Sequence, residues 1–158
     1  MTWSLRLSNG DLVKGKGNSL STVTGPDKVA QDLFAWFLEP YGSDPLNPNL
    51  GSFIDYPEGM VVNLNGEEYV LPKNYRDLVV SEINRLLTDY VRRQRVRIRL
   101  EAGLYDGKHT LQEDEIIGDY EVIAEQVEDT LFINITLTFS DGDSVDLEIP
   151  VENRSEAL

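Results

Sequence analysis

Few residues of this 158-residue chain could do chemistry. There is one histidine, His109, in the loop-like "DGKHTL", and no cysteine. Thiolate catalysis, disulfides and Cys-ligated zinc are therefore excluded, and a Ser-His-Asp triad would have to be built on His109 without any nucleophile-elbow pattern. A lone loop histidine reads as solvated. "GKGNSL" from Gly15 has the start of a phosphate loop, but lacks the glycine spacing and the Lys-Ser/Thr ending, so it reads as a plain loop. "SDGDSVD" carries the first acids of a calcium loop. Val145 and Asp146 then occupy positions that need a ligand and a glycine, so the segment reads as a hairpin turn. "EDE" at 113–115 could bind a cation loosely but has no further ligand that the sequence places beside it. Glu39, Asp44, Asp55 and Glu58 cluster near one loop, where a glycosidase reading would need a positioned pair, one member with a raised pKa. Exposed acids are the default in an acidic protein, so no catalytic residue is assigned.

The cations are more informative. Five of the 14 basic residues fall between Arg92 and Arg99 in "YVRRQRVRIRL", although the net charge is −14. From Thr110 to Asn153 there is no Lys or Arg but 13 carboxylates. Such a chain repels nucleic acid and anionic membranes, so the arginines are expected to meet carboxylates, within the fold or on a protein partner. No apolar run is long enough to span a membrane. "MTWSLRLSNG" has no signal-peptide core, and the chain is expected to stay in the cytosol where it is made.

Hydrophobic spacing supplies the elements that would position these groups. "WSLRLSNGDLVKGKG" predicts a hairpin turning at Asn9-Gly10, and "MVVNLNGEEYVLP" a second one at Asn65-Gly66. "TGPDKVAQDLFAWFLEP" predicts a helix: Pro26 suits the first turn, Asp27 suits the positive end, and Val29, Leu33, Trp36 and Phe37 share one face. The proline- and glycine-rich segment 41–59 is loop. A second helix is capped by Asn74, with Val79, Ile83, Leu86, Leu87 and Tyr90 on its apolar face. It is expected to end near Arg92 and Arg93. Val96, Ile98 and Leu100 alternate with Arg95, Arg97 and Arg99, which predicts a strand from Arg95, its guanidiniums relieved by Glu121 and Glu125. Three further strands, "DYEVIAEQV", "TLFINITLTF" and "DSVDLEIPV", form a meander with turns at Glu128-Asp129 and Asp141-Gly142. The expectation is an α+β domain over residues 1–151: two helices on one face of a mostly antiparallel sheet, short N-terminal and mid-chain hairpins, and a frayed tail at 152–158.

With "GDLV" after a short strand, "AQDLFAWFL" in a helix, "DPLNPNLGS" before a second helix, an arginine-containing helix-to-strand junction and the closing "EDTLFINITLTF", the chain resembles the baseplate wedge family of contractile phage tails. This family is sometimes labelled lysozyme-like and also occurs in type VI secretion baseplates. The resemblance covers roughly residues 4–151. Gln31-Asp32 matches a helical Gln-Asp/Glu step, and Asn47 to Gly51 matches a segment ending in Gly. Arg93-Gln94-Arg95 matches the family's Glu-Pro-Arg motif, of which Arg95 alone is kept. The hairpin at 60–71 and the loop 103–115 are additions.

The resemblance implies a structural virion component, assembled in the host cytoplasm and present in several copies per particle. Its partners would be other baseplate proteins and the tail sheath or tube protein, with no nucleic acid, membrane, metal or cofactor. The family motif contacts the baseplate core, and sheath arms add as strands to an open sheet edge. Here that edge would be Ser144 to Val151, with Val145, Leu147, Ile149 and Val151 facing inward. Arg92, Arg93, Gln94, Arg95, Arg97, Val145, Leu147 and Ile149 are thus the candidate partner-binding residues. The alternatives are a peptidoglycan-cleaving enzyme using Glu39 or Asp55, and an α+β adaptor from outside phage tails.

Overall fold

A computed structural model describes residues 2–8, 11–17, 19–46, 51–52, 54, 61–64, 67–70, 76–128 and 130–152, with the backbone alone at 61–64, 67–70, 76–78 and 152. Along the chain lie β1 (Trp3–Leu5), β2 (Leu7–Ser8), β3 (Asp11–Leu12), β4 (Thr22–Thr24), α1 (Gly25–Leu38), β5 (Val61–Leu64), β6 (Glu67–Val70), α2 (Arg76–Leu104), β7 (Ile117–Val127), β8 (Thr130–Phe139) and β9 (Ser144–Glu152). The fold is α+β, as the element pattern predicts.

Both small hairpins form with the expected register. Ser8 pairs with Asp11 and Leu64 with Glu67, which leaves two residues for each turn. Those Asn-Gly turns, the Asn74 cap, and Asp55 and Glu58 lie outside the described residues. β1 pairs antiparallel with β4. The "GKG" segment closes tightly, Gly15 N donating to Ser19 O at 2.9 Å. A side chain at Gly15 would meet Ser19 Oγ at 2.9 Å, so the glycine serves close backbone approach rather than a phosphate.

The chain divides into two compact units, one of residues 1–35, 87–121 and 136–146, the other of 36–86, 122–135 and 147–158. In the first, Val23, Val29, Ala30, Leu33, Leu87, Leu111, Ile117, Leu137 and Phe139 are buried. Gln31 on α1 fastens the N-terminal strands, accepting from Leu7 N at 2.9 Å and donating to Leu5 O at 2.8 Å. In the second, Phe37, Ile54, Val79, Ile83, Leu86, Leu131, Ile133, Ile135, Ile149 and Val151 are buried. There Ser52 bridges to Phe37 O, and Gly51 (φ +102) lies so close to the Glu39 and Pro40 carbonyls that an added Cβ would sit 2.7 Å from each oxygen. That contact is the physical reason for the glycine that ends "NPNLG". Arg85 donates to Gly51 O at 3.2 Å and lies 5.8 Å from the Tyr41 ring centre.

β7, β8 and β9 form a three-stranded sheet in that order. β8 buries Leu131, Ile133, Ile135, Leu137 and Phe139, which accounts for its strict alternation. "SDGDSVD" is the β8–β9 turn: Phe139 N donates to Asp143 O at 2.8 Å, Asp143 N to Asp141 Oδ1 at 3.0 Å, and Gly142 takes φ +94.

One expectation fails. The second helix does not stop near Arg92 and Arg93, and no strand begins at Arg95; α2 runs unbroken for 29 residues to Leu104. Arg, Gln, Leu and Glu propagate a helix once it is nucleated, and no glycine or proline interrupts it before Gly103. Ion pairs at helical spacing support the run: Asp89 to Arg92 (2.5 Å) and Arg93 (2.9 Å), and Arg97 to Glu101 (3.0 Å). Arg92, Arg93 and Arg97 therefore find carboxylates along their own helix rather than at Glu121 and Glu125. The helix ends where Gly107 N donates to Ala102 O at 2.7 Å with Asp106 at φ 54, a Schellman-type stop.

Candidate functional site

The C-terminal half of α2 has two faces. Gln94 points inward and is 7% exposed. Its Nε2 donates to Glu115 O at 2.7 Å and its Oε1 accepts from Ile117 N at 3.1 Å. Gln94 thus binds the helix to the start of β7. It is a structural tether and not a partner contact. Glu115 beside it is 1% exposed. Burial pushes its carboxyl up, but hydrogen bonds from Thr2 Oγ1 (2.5 Å), Gln112 N (2.9 Å) and Thr2 N (3.0 Å) together hold it below the usual range. The last acid of "EDE" therefore organises the chain around itself rather than holding a cation. Burial, followed by the charges of Asp32 and Glu115, pushes the Tyr90 phenol up, so it stays neutral.

The outward face carries Val96, Leu100 and Leu104, which are 48%, 63% and 75% exposed. On a helix these i, i+4, i+8 positions step by roughly 40°, so they form one continuous stripe. With Tyr105 and the stems of Arg92, Arg93 and Arg97 the stripe lines an open groove of about 490 Å³. Arg97 stands on the Leu104 side of it with Arg93 at its N-terminal end, and Arg92 and Arg99 stand on the Val96 side, whereas Arg95 lies roughly 140° around the helix from the stripe's centre. Arg97 is fixed: its Nε donates to Glu101 and its Nη2 to Thr110 Oγ1 at 2.7 Å. Glu101 also accepts from Thr110 N at 2.8 Å, and this backbone bond, followed by Arg97, lowers its pKa to about 2. Partial burial pushes Asp89 up, yet Arg92 and Arg93 outweigh it and hold the carboxyl down. Arg95 and Arg99 are exposed and make no ion pair among the described residues.

The other predicted residues lie on β9, which closes the three-stranded sheet on one side. Val145 and Leu147 are half-buried and Ile149 is buried. The Ile149 side chain therefore belongs to the core, and the backbone rim is what β9 can offer outward. Asp146 accepts from Thr136 Oγ1 at 2.8 Å, and Glu148 is exposed. Thus Arg92, Arg93 and Arg97 line the groove, Arg95 and the buried Gln94 point away from it, and Val145, Leu147 and Ile149 belong to a different element.

Of the acids weighed for catalysis, Glu39 and Asp44 lie among the described residues. Glu39 accepts from Ser43 Oγ at 3.4 Å, and Asp44 turns its own loop by accepting from Leu46 N at 2.9 Å. His109 is exposed in the loop after α2. No cluster of three metal-ligating side chains occurs among the described residues. No described helix is long and apolar enough to cross a membrane. The apolar stripe is the feature that alternation concealed; the spacing of Val96, Leu100 and Leu104 was its signal, visible once Leu104 is counted with them.

Compared with family models, with curated proteins and with solved structures, the chain matches none. The arginine motif behind part of the wedge-family resemblance falls inside α2, nine residues before its end, and not at a helix-to-strand junction.

Proposed function

We propose that this chain is a non-enzymatic structural subunit of a phage-tail baseplate, an inner-wedge component that joins baseplate to tail and starts sheath assembly by accepting a strand at β9. The observation that supports this reading is the position of β9 at the end of the β7–β8–β9 order. An end strand has unpaired N–H and C=O groups, and an arriving arm satisfies them while side chains set the register. Pro150 lacks an N–H and weakens one end of that rim, as an edge permits. Asp146 and Glu148 discourage pairing of β9 with its own copies and favour a basic arm. The phage setting rests on the sequence resemblance alone. Partners are then sheath or tube protein and other baseplate proteins, with several copies per virion.

Electron microscopy of tailed particles carrying a labelled copy of the chain tests this reading. Label at the tail end beneath the sheath is the expected result. Label absent from tails, or turnover of purified murein by the protein, would overturn it. Glu148→Lys is expected to slow assembly by repelling a basic arm.

A further inference from the structure

The arginine-flanked stripe on α2 is a second surface, separate from β9, and its chemistry selects a different partner. We propose that residues 92–105 dock an acidic amphipathic helix of another protein, its aliphatic face on Val96, Leu100 and Leu104 and its carboxylates reaching the flanking guanidiniums.

Three observations converge on this occupant. The stripe runs over nine residues, Val96 to Leu104, or roughly 12 Å of helix axis, which matches the apolar face of two to three turns of a partner helix. Aliphatic side chains exposed in a row on a charged helix mark a contact surface more than a solvated face. The charge is locally inverted as well. Residues 92–104 hold five arginines and one carboxylate, Glu101, in a chain of net charge −14. Arg92 pairs with Asp89, which Arg93 also reaches, and the exposed Arg99 beside the stripe makes no ion pair among the described residues. An acidic helix brings carboxylates to Arg99 and Arg92 beside the stripe while covering its centre.

The same observations disfavour the other occupants. A second copy bringing the same face would set arginine against arginine. A phosphate backbone would satisfy the guanidiniums but leave Leu100 and Leu104 in water, and the acidic remainder of the chain repels both nucleic acid and anionic lipid.

The test uses the full chain and a fluorescein-labelled 14-residue peptide, helical by design, with leucines at i, i+4 and i+7 and glutamates on both flanks. Fluorescence anisotropy reads binding at low and moderate salt. Saturable binding that weakens with salt is expected, and a scrambled peptide of the same composition should bind at least tenfold more weakly. Arg92→Glu with Arg99→Glu, and separately Leu100→Gln with Leu104→Gln, should each reduce affinity at least tenfold. All four side chains are exposed, and circular dichroism verifies that the variants fold. Glu148→Lys on β9 should leave peptide affinity unchanged, which separates this surface from the strand-addition reading. The proposal is overturned if the helical peptide fails to saturate, or if either double variant binds it like the parent. It is also overturned if the face instead drives self-association, or binding to phosphatidylserine vesicles, that the leucine pair abolishes.

Discussion

Residues 95–100 and 131–139 both alternate aliphatic with polar side chains, yet the first lie inside α2 and the second form β8. The difference is in what surrounds the alternation. In β8 one face carries Phe132, Asn134, Thr136 and Thr138, and the other carries Leu131, Ile133, Ile135, Leu137 and Phe139, all five of them buried. In the arginine segment only Ile98 of the three apolar residues is even half-buried, while Val96 and Leu100 face solvent. A period of two identifies a strand when one face has a core to enter. Where the polar residues are arginines, which propagate helix and pair at i+4, an established helix continues through the pattern.

The comparison can be broken from either side. Leu137→Ala removes a side chain with no exposure from β8 and should cost about 2–5 kcal/mol. Denaturant unfolding measures it, and a cost below about 1 kcal/mol would show that β8 is not the core strand described. Val96→Pro places a proline inside α2, where it removes a hydrogen bond and clashes with the preceding turn, at about 3 kcal/mol. The far-ultraviolet signal should lose helix; unchanged helicity would mean that the segment is extended after all.

Gln94→Ala comes next, at about 2 kcal/mol, because it leaves the buried Ile117 N–H and Glu115 carbonyl without their partner. If Gln94 faced solvent, as a partner-binding role would require, the cost would be near zero. The smallest effect is that of acid. Glu101 is depressed from 4.5 to about 2, so its contribution is present above the ordinary carboxylate range and lost as pH falls through the depressed value. The Thr110 amide resonance should move over that window and stay still in Glu101→Gln, while resonances of β8 do not respond.

Much of the fold was legible in the sequence because local and tertiary signals agree. Val29, Leu33 and Phe37 recur on one face of α1, and all three are buried. The pairing registers on both sides of the Asn-Gly turns, and the three strands of the meander, follow from turn chemistry and alternation. The end of α2 was not legible because two periodicities compete there, and tertiary contact at Gln94 and Glu115 decides between them. Glu115 was hidden for a related reason. In sequence it is one acid among three, and its burial depends on Thr2, which lies 113 residues away. The arginines were singled out by composition alone, but the stripe they flank required the helix to be known.

Strand addition at β9 is the central claim, and amide hydrogen exchange along Ser144–Glu152, in the free protein and in assembled tails, tests it most directly. The account predicts that the outward-facing amides of β9 exchange readily in the free protein and become protected on assembly, while amides of β8 are protected in both states. Protection of β9 that is the same before and after assembly would contradict it.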